Sequence, residues 1–232
     1  MADRIDEEAV GERYAQWFSK GLHGIGMRYV FSRRGLWLIN TPYRTILDAA
    51  QISAEDRLLD LGTGIGNIPI ALCERIPFRY PPVGVDISAA LIELGRAEVR
   101  KAGLDGRIEL RVAPATRLPF EDRSIDVVVS SHVIKHLDDD ALARTFGEVF
   151  RVLRPGGRLL LWEFKKSPLS APLFISARAT GLPPPFSLRE AATLQGVLLA
   201  TGFHSVTQVR TGIFLMPPVP RIALLARRQS GT

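Results

Sequence analysis

The sequence predicts an α/β fold: a doubly wound, seven-stranded, mostly parallel sheet with an antiparallel last strand and an N-terminal helical cap. Three observations predict it. Residues 58–70, LLDLGTGIGNIPI, read as buried strand, glycine turn and helix. Leu58, Leu59 and Leu61 form the apolar run, Gly62, Gly64 and Gly66 follow at alternate positions, and Ile68, Ile70, Ala71 and Leu72 resume with helical spacing. From there to about residue 165, short apolar runs alternate with helical stretches, as in a parallel sheet. Two strand-like runs in succession, 203–210 and 221–228, then close the chain, which predicts an antiparallel edge strand.

The elements follow in order. Residues 7–20 read as an amphipathic helix with Val10, Tyr14, Trp17 and Phe18 on one face. Tyr14 is a candidate to face a ligand. Residues 21–35, with four glycines and Arg28, Arg33 and Arg34, predict a loop or broken helix; 36–50 predict a helix broken near Pro42. Residues 1–50 are therefore expected to form the cap and 51–232 the main domain. Within it, strands are expected at 57–61, 83–86, 107–112, 125–130 and 158–164. Helices are expected at 66–76, from the N-cap Ser88 to about 101, and from Asp138–Asp140, whose charges suit a helix start, to about 151. Pro155-Gly156-Gly157 is read as the turn into the fifth strand. Residues 165–187 break the alternation with Lys165, Lys166, Arg178 and five prolines. Insertions of this length in compact domains are usually functional or mobile, so a lid is expected here. A helix over 188–200, capped by Ser187 and ended at Gly202, precedes the last two strands.

Composition bounds the function. The 232 residues fit one large domain, and 46% hydrophobic content suits an ordinary core. No apolar run approaches the ~20 residues that span a bilayer, and the acidic N-terminus is no secretory signal. The expectation is a cytoplasmic protein without a transmembrane segment. Cys73 is the only cysteine, which excludes an intrachain disulfide and a thiolate zinc cluster, and no metal is expected. The net charge of +6 gathers in residues 156–232, where nine Lys/Arg face two Asp/Glu. Because 25 of the 30 basic residues are Arg, this bias is read as compositional more than functional.

The glycine turn admits two ligand classes. The dinucleotide fingerprint G-x-G-x-x-G would need a third glycine where Asn67 stands. Asp60, two residues before the first glycine, would repel a pyrophosphate and attract an ammonium group. Asp86, ending the second strand about twenty residues on, can accept from both hydroxyls of a ribose. Beyond these, Asp60 to Gly66 resembles motif I of the class I S-adenosylmethionine-dependent methyltransferases. Residues 117–120, RLPF, with 124–131, SIDVVVSS, resemble that family's "LPF…FDVV" segment, and 151–161, RVLRPGGRLLL, its "LKPGG" turn. The resemblance covers roughly residues 50–165.

It implies S-adenosylmethionine as cofactor, S-adenosylhomocysteine as product and methyl transfer as the activity. Asp60 would attract the amino group. Gly62, Thr63, Gly64 and Gly66 would pass under the methionine part, and Asp86 would hold the ribose. Ile87 and Leu118 would wall the adenine. Where the family carries an acid after the third strand this chain has Pro114, so Ala115 and Thr116 are the remaining adenine contacts. Ser131 would lie near the sulfonium. His132, His136 and Glu163 are the candidate bases, histidine because its ordinary pKa lies near neutrality. No Asn- or Asp-Pro-Pro-aromatic motif follows the fourth strand, so no nucleic-acid acceptor is expected but a small apolar or anionic molecule; a homodimer is compatible with the chain. The rival readings are a nicotinamide-dependent oxidoreductase and a non-catalytic partner subunit with the same fold.

Overall fold

The computed structural model describes residues 7–19, 47–179, 181, 186–210 and 220–231. The expectations for residues 20–46 lie outside them, as does part of the expected lid. Helix α1 spans Glu7–Ser19. Strand β1, Leu58–Leu61, passes through the glycine turn into α2, Asn67–Cys73. Then come β2, Val83–Asp86, α3, Ala89–Lys101, β3, Glu109–Val112, and β4, Ile125–Ser131. A 3-10 turn, Ile134–His136, leads to α4, Asp139–Val152, and β5, Leu153–Phe164. A second 3-10 turn, Pro168–Ser170, precedes α5, Ala171–Ala179. Helix α6, Ala191–Thr201, β6, Ser205–Gln208, and β7, Arg221–Arg227, complete the chain.

The seven strands form one sheet in the order β3-β2-β1-β4-β5-β7-β6. All neighbours from β3 to β5 are parallel, and β7 is antiparallel to both β5 and β6. The antiparallel strand is therefore interior, and the edge is β6. β7 lies between β5 and β6 because it is apolar on both faces and must be covered on both. Ile222, Leu224 and Ala226 pack with the larger core, while Ala223 and Leu225 pack with the core on the opposite face. The same alternation runs through β4 and β5: Val128, Leu159 and Leu161 point one way, Val127, Val129, Leu160 and Trp162 the other.

Three local expectations are corrected. The Pro155-Gly156-Gly157 turn lies inside β5 as a bulge, with Gly156 at φ +79° and the register shifting between Ile125 and Val127. Helix α6 is preceded by Glu190 as N-cap with no side-chain cap bond, and the Ser187 backbone N–H instead donates to the Lys135 carbonyl at 2.7 Å. The first helix after the glycine turn is short, ending at Cys73. Ser88 and Asp138 cap as expected, accepting from Leu91 N–H at 3.2 Å and Ala141 N–H at 2.7 Å, and Gly202 ends α6 at φ +115°.

The glycine turn is fixed by close approach. Gly62 N–H and Thr63 N–H both donate to the Val85 carbonyl, at 2.8 and 2.9 Å, and Gly62 stands at φ +70°. A Cβ at Gly62 would overlap the Val133 side chain in the loop after β4. Gly62→Ala combines a left-handed backbone with that overlap, so it should destabilise the fold by about 2 kcal/mol or more. Urea denaturation measures this; a loss below about 0.5 kcal/mol would mean that Val133 moves aside without cost.

Candidate active site

The carboxyl-terminal ends of β1, β2, β4 and β5 lie along one edge of the sheet, where ligands bind in open α/β folds. Since β7 runs the other way, its first residue, Arg221, reaches the same edge and pairs with Phe164.

At the β1–β2 end, Asp60 is buried, 1% exposed, and neither carboxylate oxygen has a hydrogen-bond partner among the described residues. Burial pushes its carboxyl up to about 7, drawn back in part by the neighbouring Thr63 hydroxyl and raised further by the Asp86 charge. An unpartnered buried acid costs free energy unless a cation or donor meets it. Asp86 accepts from the Gly64 N–H at 2.9 Å and the Ser88 N–H at 3.0 Å, one on each oxygen. Each oxygen keeps a lone pair for a hydroxyl donor. Burial raises the Asp86 pKa against the lowering by these N–H groups. Gly64, at φ +55°, has open space where a Cβ would stand, so a ligand can lie against its backbone. Gly84 admits the buried Thr63, because a Cβ there would come within 2.5 Å of Thr63 Oγ1.

Helix α1 covers this end. Gly11 lies so near Ile87 that a Cβ would overlap it. Tyr14 stacks edge-on against His136, ring centroids 4.7 Å apart, and burial, then the charges of Asp86 and Glu163, raise its pKa. Tyr14 thus sits within reach of both acidic strand ends. Among the expected adenine contacts, Ile87, Ala115 and Thr116 are half-buried. Leu118 differs, being 4% exposed within the main core, where Glu148 accepts from its N–H and Arg151 donates to its carbonyl.

The β4–β5 end carries a second cluster. Ser131 ends β4 opposite Trp162. His132 continues the ladder, donating its N–H to the Trp162 carbonyl at 2.9 Å, but from a left-handed backbone at φ +58°. Its Nδ1 lies 3.2 Å from Glu163 Oε1, and its ring packs on Phe164 with centroids 4.4 Å apart. Glu163 also accepts from the Lys135 N–H at 3.3 Å and the Phe164 N–H at 2.8 Å, and faces Lys135 Nζ at 3.8 Å. Burial alone would raise the Glu163 pKa, but Lys135 and His132 outweigh it and lower it to about 2. Lys135 Nζ also donates to the His132 carbonyl. Lys135 and Arg221 both flank the Phe164 ring; burial lowers both pKa values, Arg221 to about 10, against the pull of Glu163.

The three candidate bases are thus not equivalent. Glu163 is ionised but 2% exposed and fully engaged. His136, enclosed by Tyr14 and Phe186, is pushed well below its ordinary pKa by burial and then by Lys135. His132 is half-buried, hydrogen-bonded to a carboxylate through Nδ1, with Nε2 left over. Residues that sequence reasoning gave no role hold it in place: Lys135, Arg221 and Arg189. The last donates to the carbonyls of Ile134 at 2.9 Å and Leu137 at 2.8 Å and pairs with Asp139, clamping the turn that carries both histidines. An isolated cation in an apolar run, as in Pro220-Arg221-Ile222, is the only sequence signal these residues give.

Sheet order, glycine turn and two acidic strand ends define a class of α/β protein that binds an adenosine-containing cofactor over β1 and β2. A family profile described as "Methyltransferase domain" matches residues 58–157. A ubiquinone/menaquinone biosynthesis C-methyltransferase of Serratia proteamaculans is 32% identical over 185 residues, 71% of this chain and 72% of that protein. One of Geotalea daltonii is 31% identical over 167 residues, 71% of this chain and 66% of that protein. A putative methyltransferase solved with the Haloferax volcanii Trm112 methyltransferase activator superposes with TM-score 0.71 at 16% identity, covering 96% of this chain and 99% of that one. The chain belongs to the class I S-adenosylmethionine-dependent methyltransferase family, whose cofactor is S-adenosylmethionine. It spans 47 to 66% of the length of the first four curated relatives.

The residues present fit that cofactor: Asp60 offers an unpartnered carboxylate to an ammonium group, Asp86 two free lone pairs, and Gly64 bare backbone. His132 generates a prediction of its own. Burial pulls its pKa down to about 4, with Glu163 opposing. A sequence-based expectation of titration near neutrality is thereby displaced. A histidine with a depressed folded pKa stabilises the fold above its unfolded value, and that contribution fades as pH falls from about 6.5 toward 4. Nitrogen-15 NMR of labelled histidine should show His132 neutral, with its proton on Nδ1, from pH 8 down to about 5. A transition near 6.5 would show that the ring is not sealed against Glu163.

Proposed function

We propose that this protein transfers a methyl group from S-adenosylmethionine to a small apolar acceptor, with His132 as the base. The observation that carries the reading is the pair of ends along one sheet edge: unpartnered Asp60 with Asp86, and the His132–Glu163 couple two strands away. When bound, the cofactor supplies a sulfonium methyl group that is already a strong electrophile. The protein's part is then positioning, worth roughly 7 to 11 kcal/mol at best, and proton removal.

Asp60 takes the amino group of the cofactor and Asp86 the ribose hydroxyls, with Gly62, Thr63, Gly64 and Gly66 under the methionine part. Ile87, Ala115 and Thr116 border the adenine, and Ser131 faces the reacting end. Ionised Glu163 accepts a hydrogen bond from His132 Nδ1–H, which keeps that proton on Nδ1 and leaves the Nε2 lone pair free for an acceptor O–H. Glu163 also stabilises the imidazolium that forms. Helix α1 and residues 165–187 act as the cap and lid that exclude water. The C-methyltransferase relatives favour a hydroquinone acceptor: its O–H proton passes to Nε2 as electron density moves to a ring carbon, which forms the new C–C bond as the methyl–sulfur bond breaks and S-adenosylhomocysteine leaves; the ring C–H proton is then lost to solvent while the imidazolium returns its proton to the oxygen. The buried base, and the absence of the Pro-Pro-aromatic segment after β4, speak for a small molecule rather than a nucleic-acid acceptor. A buried carboxylate at the glycine turn speaks against a pyrophosphate and so against the nicotinamide reading.

Two measurements test this. Isothermal titration should show binding of S-adenosylmethionine and none of NAD. Because the Asp60 carboxyl ionises near 7 in the free protein and must be ionised to pair with an ammonium group, affinity should weaken by up to about tenfold per unit as pH falls from about 7 to 5, and stay level above. Asp60→Asn should abolish that slope; a wild-type affinity independent of pH would remove Asp60 from the amino-group site. In the second, His132→Ala should cut turnover of a hydroquinone lacking the ring methyl by about 10²-fold or more at unchanged cofactor affinity. Full activity in the variant would mean that positioning alone suffices.

A further inference from the structure

Directly beyond Phe164, at the edge that carries His132 and Glu163, the outer side of the proposed lid exposes apolar side chains that excluding water from the site does not explain. Leu169 is 70% and Ile175 69% exposed, the two most exposed large hydrophobic side chains among the described residues. Lys165, Lys166 and Arg178, on the same segment, are exposed as well. No Asp or Glu occurs between Glu163 and Glu190, while four Lys or Arg do.

The exposure is built rather than incidental. Lys165 N–H donates to the Pro220 carbonyl at 2.8 Å, tying the start of the segment to β7. Ser170, fully buried, donates its hydroxyl to the Lys165 carbonyl at 2.8 Å, and its N–H donates to the Ser167 carbonyl at 2.9 Å. The Ser167 hydroxyl accepts from the Leu169 N–H at 3.3 Å. Anchoring Ser170 inward turns Leu169 outward, and α5 then carries Ile175 and Arg178 along the same segment.

We propose that residues 165–179 dock this protein onto an anionic lipid bilayer, with Leu169 and Ile175 entering the headgroup boundary and Lys165, Lys166 and Arg178 meeting lipid phosphates. Exposed apolar residues and cations on one short segment that carries no acid of its own are what interfacial binding asks for. A water-exposed protein partner would have to cover the two apolar side chains and supply the anions as well; a bilayer of acidic lipid offers both at once. The surface opens beside the acceptor end of the sheet, so an apolar acceptor would pass from the bilayer without crossing water. Docking itself needs neither cofactor nor acceptor, so its test stands apart from that of methyl transfer.

The full chain is sedimented with vesicles of phosphatidylcholine containing about a third phosphatidylglycerol, and with pure phosphatidylcholine vesicles. Binding is expected to the first, at least about tenfold weaker to the second, and weaker as salt rises. Lys165→Glu with Lys166→Glu should lower binding at least about tenfold. Leu169→Ser with Ile175→Ser should lower it by about the same factor. Unchanged unfolding temperatures show that both variants are folded. Absence of binding to the anionic vesicles overturns the proposal, as does charge reversal without effect. So does a dimer in sedimentation equilibrium that Leu169→Ser with Ile175→Ser dissociates, since a second copy would then own the surface.

Discussion

A carboxylate almost sealed from water, yet kept ionised, sets the arrangement of the β4–β5 end of this sheet. Moving such a charge into the interior costs several kcal/mol unless partners surround it. Glu163 has two backbone N–H donors, a lysine and an imidazole within reach, and its charge also acts on Arg221. Those partners come from three stretches of chain: the turn after β4, the end of β5 and the start of β7. The carboxylate therefore fixes their mutual positions. It explains why a lysine can be buried in the turn that carries both histidines, and why an arginine is tolerated at the inner end of an otherwise apolar strand.

The same charge holds a strained backbone. A non-glycine residue at φ +58° costs about 1 to 3 kcal/mol, and such costs persist where the surroundings over-determine the conformation. At His132 the surroundings do so. The ladder bond to Trp162 holds its amide, Lys135 its carbonyl, and Glu163 and Phe164 its ring. Arg189 clamps the turn that follows. Strain here aims the imidazole across the strand ends instead of along β4.

Much of the β1–β2 end was legible in the sequence because its information is local. Asp60, the glycines and Asp86 lie on one strand-turn-helix and the next strand end, and the spacing alone brings them together. All seven strands were likewise readable from short apolar runs bounded by turns. The β4–β5 end resisted for a physical reason: its decisive contacts join residues far apart, such as Lys135 with Glu163 and Phe164 with Arg221. Nothing in the local sequence around Arg221 shows that β7 runs against its neighbours inside the sheet rather than at its rim. Depression of the His132 pKa was hidden likewise, since it comes from the enclosure and not from the residue type. That Leu118 packs within the core was also hidden, since its burial comes from the contact of its segment with Glu148 and Arg151 of α4.

Helix α1 rests on β2 through a hydrogen atom. Gly11 sits so close to Ile87 that no side chain fits between them, and Tyr14, one turn on, stands against His136. The first helix is thereby a gauge of depth: the size of residue 11 sets how far the helix sinks over the strand ends. A larger residue there would prop the helix outward and draw the phenol ring away from the histidine, widening the mouth without touching a single group in the β4–β5 cluster. In a fold whose chemistry is mostly placement, that one missing methyl sets the trade between tight enclosure and rapid exchange of what is enclosed.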